Sequence, residues 1–192
     1  MDALYTLDRF FDLCSKEPAP ADNELSAAFA RLKPSGCPDF PRPDGARAFA
    51  AIEHLAREAT DAVDQTSSRA SPSKDVGAFA ELLVAASIAA AKSDQRFNEE
   101  DLKAIASLLE AEADRDSNIR MVREEILRPM MIEHMTRRHW TRAETVELYT
   151  ASRLAIDASD ELSEHYLKML AARLGLEQAL TDQIEVVIAR RR

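Results

Sequence analysis

An all-α fold is what this sequence predicts, on three observations. Apolar residues recur at spacings of three and four from end to end, the period of a helix with one buried face. No segment carries the strict apolar and polar alternation of a half-buried strand. Only four glycines accompany a hydrophobic content of 46%, a composition suited to compact helical packing. At 192 residues the chain fits one domain, or one domain plus an N-terminal appendage, and is long enough to bury a real core.

Residues 2 to 15 place Leu4, Leu7, Phe10, Phe11 and Cys14 on one face, so the first helix is amphipathic and suited to docking. Pro18 and Pro20 break the chain before a short helix at about 23 to 32. KPSGCPDFPRPDG, residues 33 to 45, then reads as an extended loop, after which Asp44 can cap a helix from about 45 to 64. QTSSRASPSK at 65 to 74 is small, polar and aperiodic, so the expected organisation is an N-terminal helical extension over 1–64, a linker over 65–74 and a helical domain over 75–192.

In that domain, residues 75 to 92 carry Phe79, Leu82, Leu83 and Ala86 among alanines on most faces, the pattern of a central helix surrounded by others. Asn98, with Asp101 three residues on, opens a helix to about 112. Helices are expected at about 116 to 127 and 129 to 138, the second with Pro129 in its first turn. Thr141 and Glu144 form a capping box for a helix to about Ile156. The last two run from about 160 to 173 and 177 to 190, and Gly175 supplies the left-handed residue that closes the first of them.

Two phrases stand out: AASIAAAKSDQRFNEEDLKAIASLL at 85 to 109 and YTASRLAIDASDELSEHYLKMLAARLGL at 149 to 176. Each runs a small apolar helix into an acidic loop and restarts on a carboxylate-rich turn. SDQRFNEEDLKAI aligns with SDELSEHYLKML if one loop residue is dropped, as an internal repeat of helix pairs would. Together the phrases resemble the TerB-like superfamily of tellurite-resistance proteins, and within it the YebE-like bacterial family. The second is the closer, keeping Tyr149, Ser152, Ala155, Ile156, Asp157, Asp160, Glu164, Tyr166, Leu167, Leu170, Ala171, Leu174, Gly175 and Leu176 in order. The resemblance implies a TerB-like helical bundle and implies no reaction. From it alone come the expectations of a bacterial source and of a role in stress response or envelope-associated processes.

Charge and composition exclude several classes. A net charge of -9 and a pI near 5.0 leave too few clustered cations to displace counterions from nucleic acid. The one basic cluster, Arg190 to Arg192, reads as a solvated helix end complementing the helix dipole. Cys14 and Cys37 match neither a redox pair nor a zinc site, so a reducing cytoplasm is the expected home. No run reaches the ~20 apolar residues that span a bilayer, and the start MDALYTLDRFFDLCSKE lacks a signal peptide's basic flank. A soluble protein is expected. YebE-like proteins usually carry a Gly-rich apolar N-terminal stretch that this text lacks. Peripheral membrane association stays open, although Asp2, Asp8 and Asp12 on the first helix oppose an anionic surface.

The acidic loops are the candidate site. Hard cations such as calcium, magnesium or manganese take several carboxylate and carbonyl oxygens converging from a loop and the next helical turn. The resemblance, whose acidic loops have been proposed to bind metal, points to Asp94, Glu99 and Glu100 in the first loop and Asp157, Asp160 and Glu164 in the second. Gln95 stands where the family has Gly, and Asn98 where it has its second loop Asp. The other reading is structural: Asn98 and Asp160 cap helices, Glu99, Glu100 and Glu161 favour the positive helix N-termini, and Phe97 and Leu162 plug the loops into the core.

No catalytic constellation is legible. None of the four histidines has a Glu three residues before it, no HExxH, GxSxG or Walker loop occurs, and His134 and His139 lie about 140 degrees apart around a helix. Glu164 and His165 are adjacent and do not face each other. Met130, Met131, Ile132, Met135 and Trp140 read either as core or as an adaptable docking surface. The expectation is a noncatalytic protein-interaction or scaffold module with a protein partner or self-association, without a cofactor; the alternative is a divalent-metal-binding or metal-sensing protein.

Overall fold

In the computed structural model the described residues are 47–63, 76–93, 102, 103, 106, 117–130, 132–137, 140–156 and 160–190. Seven helices occur among them: α1 (Arg47–Val63), α2 (Val76–Ala91), α3 (Ser117–Leu127), α4 (Ile132–Thr136), α5 (Arg142–Leu154), α6 (Glu161–Leu174) and α7 (Gln178–Ala189). The all-α expectation holds. Leu102, Lys103 and Ala106 are also helical, whereas the helices expected at 2–15 and 23–32 lie outside the described residues. No described helix is long and apolar enough to cross a membrane.

Alanines let α2 sit close to its neighbours, and its side chains from Phe79 to Ala91 are buried apart from Glu81, with Leu82, Ala85 and Ala89 partly covered. It packs on α3, α4, α5 and α6, the surrounded position expected of it. It shares the centre with α5. Every residue of α5 from Glu144 to Leu154 is buried except the half-buried Glu147, although RAETVELYTASRL is polar in text. The two central helices run parallel: near their starts Phe79 and Trp140 pack with ring centroids 5.7 Å apart, and further along Ser87 Oγ reaches the Ala151 carbonyl at 3.5 Å. At a rise of about 1.5 Å per residue these contacts keep one register, so Ser93 and Ile156 lie towards the same end of the bundle.

Helix α1 lies across α5 and α7. It is amphipathic, and Ile52, Leu55, Ala56 and Ala59 join the same hydrophobic cluster as Leu83 and Leu148. Among the described residues, the end of the expected extension and the unit expected to begin at 75 thus contribute to one hydrophobic cluster. A helix with so strong an apolar stripe must cover it, and the face it meets belongs to the unit expected to begin at 75.

Local signals place several helix ends. Thr141 N–H and hydroxyl both donate to Glu144 Oε2 at 2.8 Å, and Glu144 N–H donates to Thr141 Oγ1 at 3.3 Å, completing the capping box. Gly175 sits at φ 67°, with its N–H on the Ala172 carbonyl and that of Leu176 on Ala171. Two expectations change. Pro129 is not in a first helical turn: it follows the end of α3, where it offers no N–H to continue a helix, and α4 begins at Ile132. Leu162 does not plug a loop, because the face of α6 turned to the core carries Ser163, Tyr166, Leu167 and Leu170 instead, which leaves Leu162 45% exposed.

Candidate functional site

The parallel course of α2 and α5 brings the chain into both acidic stretches from one end of the bundle. Of the six carboxylates expected there, Asp94, Glu99, Glu100 and Asp157 lie outside the described residues, as do Phe97 and Asn98. Asp160 and Glu164 are described, and each has a structural partner. Asp160 is the N-cap of α6, in an extended conformation, and its Oδ2 accepts the Ser163 N–H at 2.9 Å. Such a cap contributes about 1 kcal/mol. Glu164 is exposed and pairs with Lys168 at 2.6 Å along its own helix, while Glu161 adds negative charge to the same first turn. Among the described residues no group of three or more His, Cys, Asp or Glu side chains is placed to hold a metal ion.

The core also holds four buried hydroxyls that sequence reasoning did not assign. Ser93, Thr150, Ser152 and Tyr166 are buried, and none of their hydroxyls reaches a hydrogen-bond partner among the described residues. A buried, unpaired hydroxyl costs about 1–3 kcal/mol, so four of them mark a core not optimised for stability alone. Burial pushes the Tyr166 phenol well above the usual range for tyrosine, and the neighbouring Ser152 hydroxyl, which acts in the opposite sense, stops short of hydrogen-bond geometry. Tyr166 is thus a neutral phenol at any ordinary pH. The available signal was the occurrence of Thr150, Ser152 and Arg153 in a helix that the packing surrounds.

Two cations, one buried and one half-buried, tie helices together. Arg153, 4% exposed, donates through Nε to Glu185 Oε1 at 2.5 Å and through Nη1 to the Ile156 carbonyl at 3.4 Å, tying α5 to α7. Burial pushes the nearby Tyr149 phenol up to about 12, reinforced by Glu185 and Asp182 and opposed by Arg153. Lys92, just past α2, donates to the carbonyls of Arg128 at 2.6 Å, Ile126 at 3.0 Å and Glu125 at 3.5 Å. It closes the C-terminal end of α3, whose last carbonyls have no partner within the helix. Burial holds its ammonium below the usual lysine range, with Glu125 acting the other way.

The remaining candidates divide. Ile132 and Met135 are buried, Trp140 is partly buried and donates to the Met135 carbonyl at 2.6 Å, and Met130 is exposed beside Leu127. Met131 and His139, and the side chain of His134, lie outside the described residues. His165 and His54 are exposed. Exposed apolar side chains also mark α6, where Leu162 and Met169 are seven residues apart and so lie on one helical face.

Compared with known proteins, residues 44–188 match a family described as a protein of unknown function (DUF533). No curated protein and no solved structure matches the chain.

Proposed function

Since the chain belongs to the DUF533 family, we propose, as our own reading, that it is a noncatalytic helical module that binds a protein partner or a second copy of itself. The observation that carries this reading is the exposed flank of α6. Leu162 and Met169 are 45% and 40% exposed on the flank next to the core face of Tyr166, Leu167 and Leu170, so a helix already anchored in the core presents two apolar side chains at its edge. Such a pair, with a flexible Met at one end, suits docking against another helix. Native mass spectrometry with light scattering tests it: Leu162→Glu with Met169→Glu should abolish any self-association or retention of a co-purifying partner. A native complex that survives both substitutions would remove this face from the function. The kinship with TerB-like and YebE-like proteins, and with it a bacterial role in stress response or at the envelope, belongs to the same proposal. It is supported by the residues of the second phrase and by the helical bundle. A cytoplasmic setting is proposed on cysteine usage.

A second reading, divalent-cation binding, is favoured by the common end of α2 and α5. With Asp160 capping α6 and Glu164 paired to Lys168, a cation there would rely chiefly on Asp94, Glu99, Glu100 and Asp157. It would supply charge neutralisation between two acidic loops, which suits a sensor more than a catalyst.

A further inference from the structure

Four exposed residues of α6, Leu162, His165, Met169 and Ala172, follow one another at spacings of three, four and three. That is the spacing of a heptad seam, the line along which two helices pack side by side, and the small Ala172 lets a second backbone come close. Glu161 and Lys168 lie along one edge of the seam and Arg173 along the other, all three exposed. Asp160 is taken up by the cap, and Glu164 stands further round the helix, where it pairs with Lys168. Arg173 meets Glu133 of α4 at 3.5 Å. Lys168 keeps 70% of its side chain exposed, and its ammonium has further donors for a second carboxylate.

We propose that this seam pairs with the same seam of a second copy of the chain, the two α6 helices running antiparallel about a two-fold axis level with Glu164 and His165. The pairing rests on the reading of this flank of α6 as a docking surface and names its occupant. Charge selects both the occupant and the direction. In an antiparallel pair like edges meet, so Glu161 of each copy comes opposite Lys168 of the other, and one sequence supplies two contacts of opposite charge. A parallel pair would instead set Lys168 against Arg173 of the other copy, where like charges repel. The contact covers Leu162 and Met169, the exposed apolar side chains of the helix. A helix of 14 residues offers a face only about 20 Å long, so the interface is small and the dimer reversible.

Sedimentation of the full chain over about 1–200 μM, a range suited to a small interface, tests the pairing. The native chain should pass from monomer to dimer within that range, and Leu162→Glu with Met169→Glu should leave it monomeric. Glu161→Lys and Lys168→Glu should each weaken the dimer by roughly tenfold or more. Combined, they should restore it, because opposite charges then meet again with their places exchanged. With Cys14 and Cys37 replaced by Ser, His165→Cys should join two copies through a disulfide under mild oxidation, since a residue level with the axis meets its own copy, whereas Asp182→Cys on α7 should not. A chain that stays monomeric throughout, a double exchange that does not restore association, or a His165→Cys chain that does not crosslink overturns the antiparallel pairing. If the native chain is monomeric yet holds a different protein that Leu162→Glu with Met169→Glu releases, the pairing falls and the docking reading of α6 stands. A dimer that survives those two substitutions overturns both.

Discussion

Arg153 of α5 is the most deeply buried charged residue described in the bundle, and its partner Glu185 of α7 meets it from the solvent side, with 41% of its side chain exposed. The pair borders a hydrophobic cluster of aliphatic side chains with Phe79, Tyr149 and Tyr166 among them. A guanidinium in such a place is tolerable only while a carboxylate and a backbone carbonyl satisfy it.

The first prediction follows from that arrangement. Glu185→Ala leaves the buried guanidinium with the Ile156 carbonyl as its partner among the described residues and should destabilise the protein by about 1–3 kcal/mol, less than a fully buried pair because Glu185 reaches water. Urea denaturation measures it, and a loss below about half a kcal/mol would mean that Arg153 finds solvent when released.

Leu83→Ala in α2 should cost about 2–5 kcal/mol, the range for truncating a fully buried leucine in a core that relaxes only in part. Ile52→Ala in α1 should also cost about 2 kcal/mol or more, since Ile52 is equally buried. Equal burial with a negligible loss at Ile52 would show that α1 is an ornament on the bundle.

Removing residues 1–74 bears on the same question from the other side. Without α1 the faces of α5 and α7 that it covers become exposed, so the remaining chain should melt at lower temperature and with a shallower transition in circular dichroism. A steep transition at the full-length temperature would show 75–192 to be a self-sufficient domain.

Tyr166→Phe and Ser152→Ala remove hydroxyls that have no hydrogen-bond partner, so each should be neutral or stabilising by up to about 1 kcal/mol. A clear destabilisation by either would indicate a bound water or polar ligand between the two groups, the only kind of partner that would turn these hydroxyls into a benefit.

Divalent cations separate the two readings of the acidic loops. With Asp160 and Glu164 already engaged, calcium, magnesium and manganese should shift the melt weakly and alike, by screening, and Asp94→Asn with Asp157→Asn should leave that shift unchanged. An ion-specific shift lost in those variants would place the cation-binding reading first; at about a hundredfold excess over the dissociation constant it would correspond to ~2.7 kcal/mol.

What the sequence by itself determined is what depends on a few neighbouring residues. The box at Thr141 and Glu144, the cap at Asp160, the left-handed turn at Gly175 and the buried character of α2 all arise within a turn or two of helix, where residue type and spacing suffice. Only the tertiary structure decided what covers each face. An apolar stripe states that Ile52 and Leu55 must be buried without stating that α5 and α7 bury them. It assigned Leu162 to the core, but α6 is seated by its neighbouring face. The polar text of α5 concealed a central helix, because Arg153 is made tolerable by Glu185, 32 residues away, and no local pattern reports a partner at that distance. Fold class is therefore legible from periodicity, whereas the parallel register of α2 and α5, which brings the chain into both acidic stretches from one end, comes from contacts such as Phe79 with Trp140 and Ser87 with Ala151.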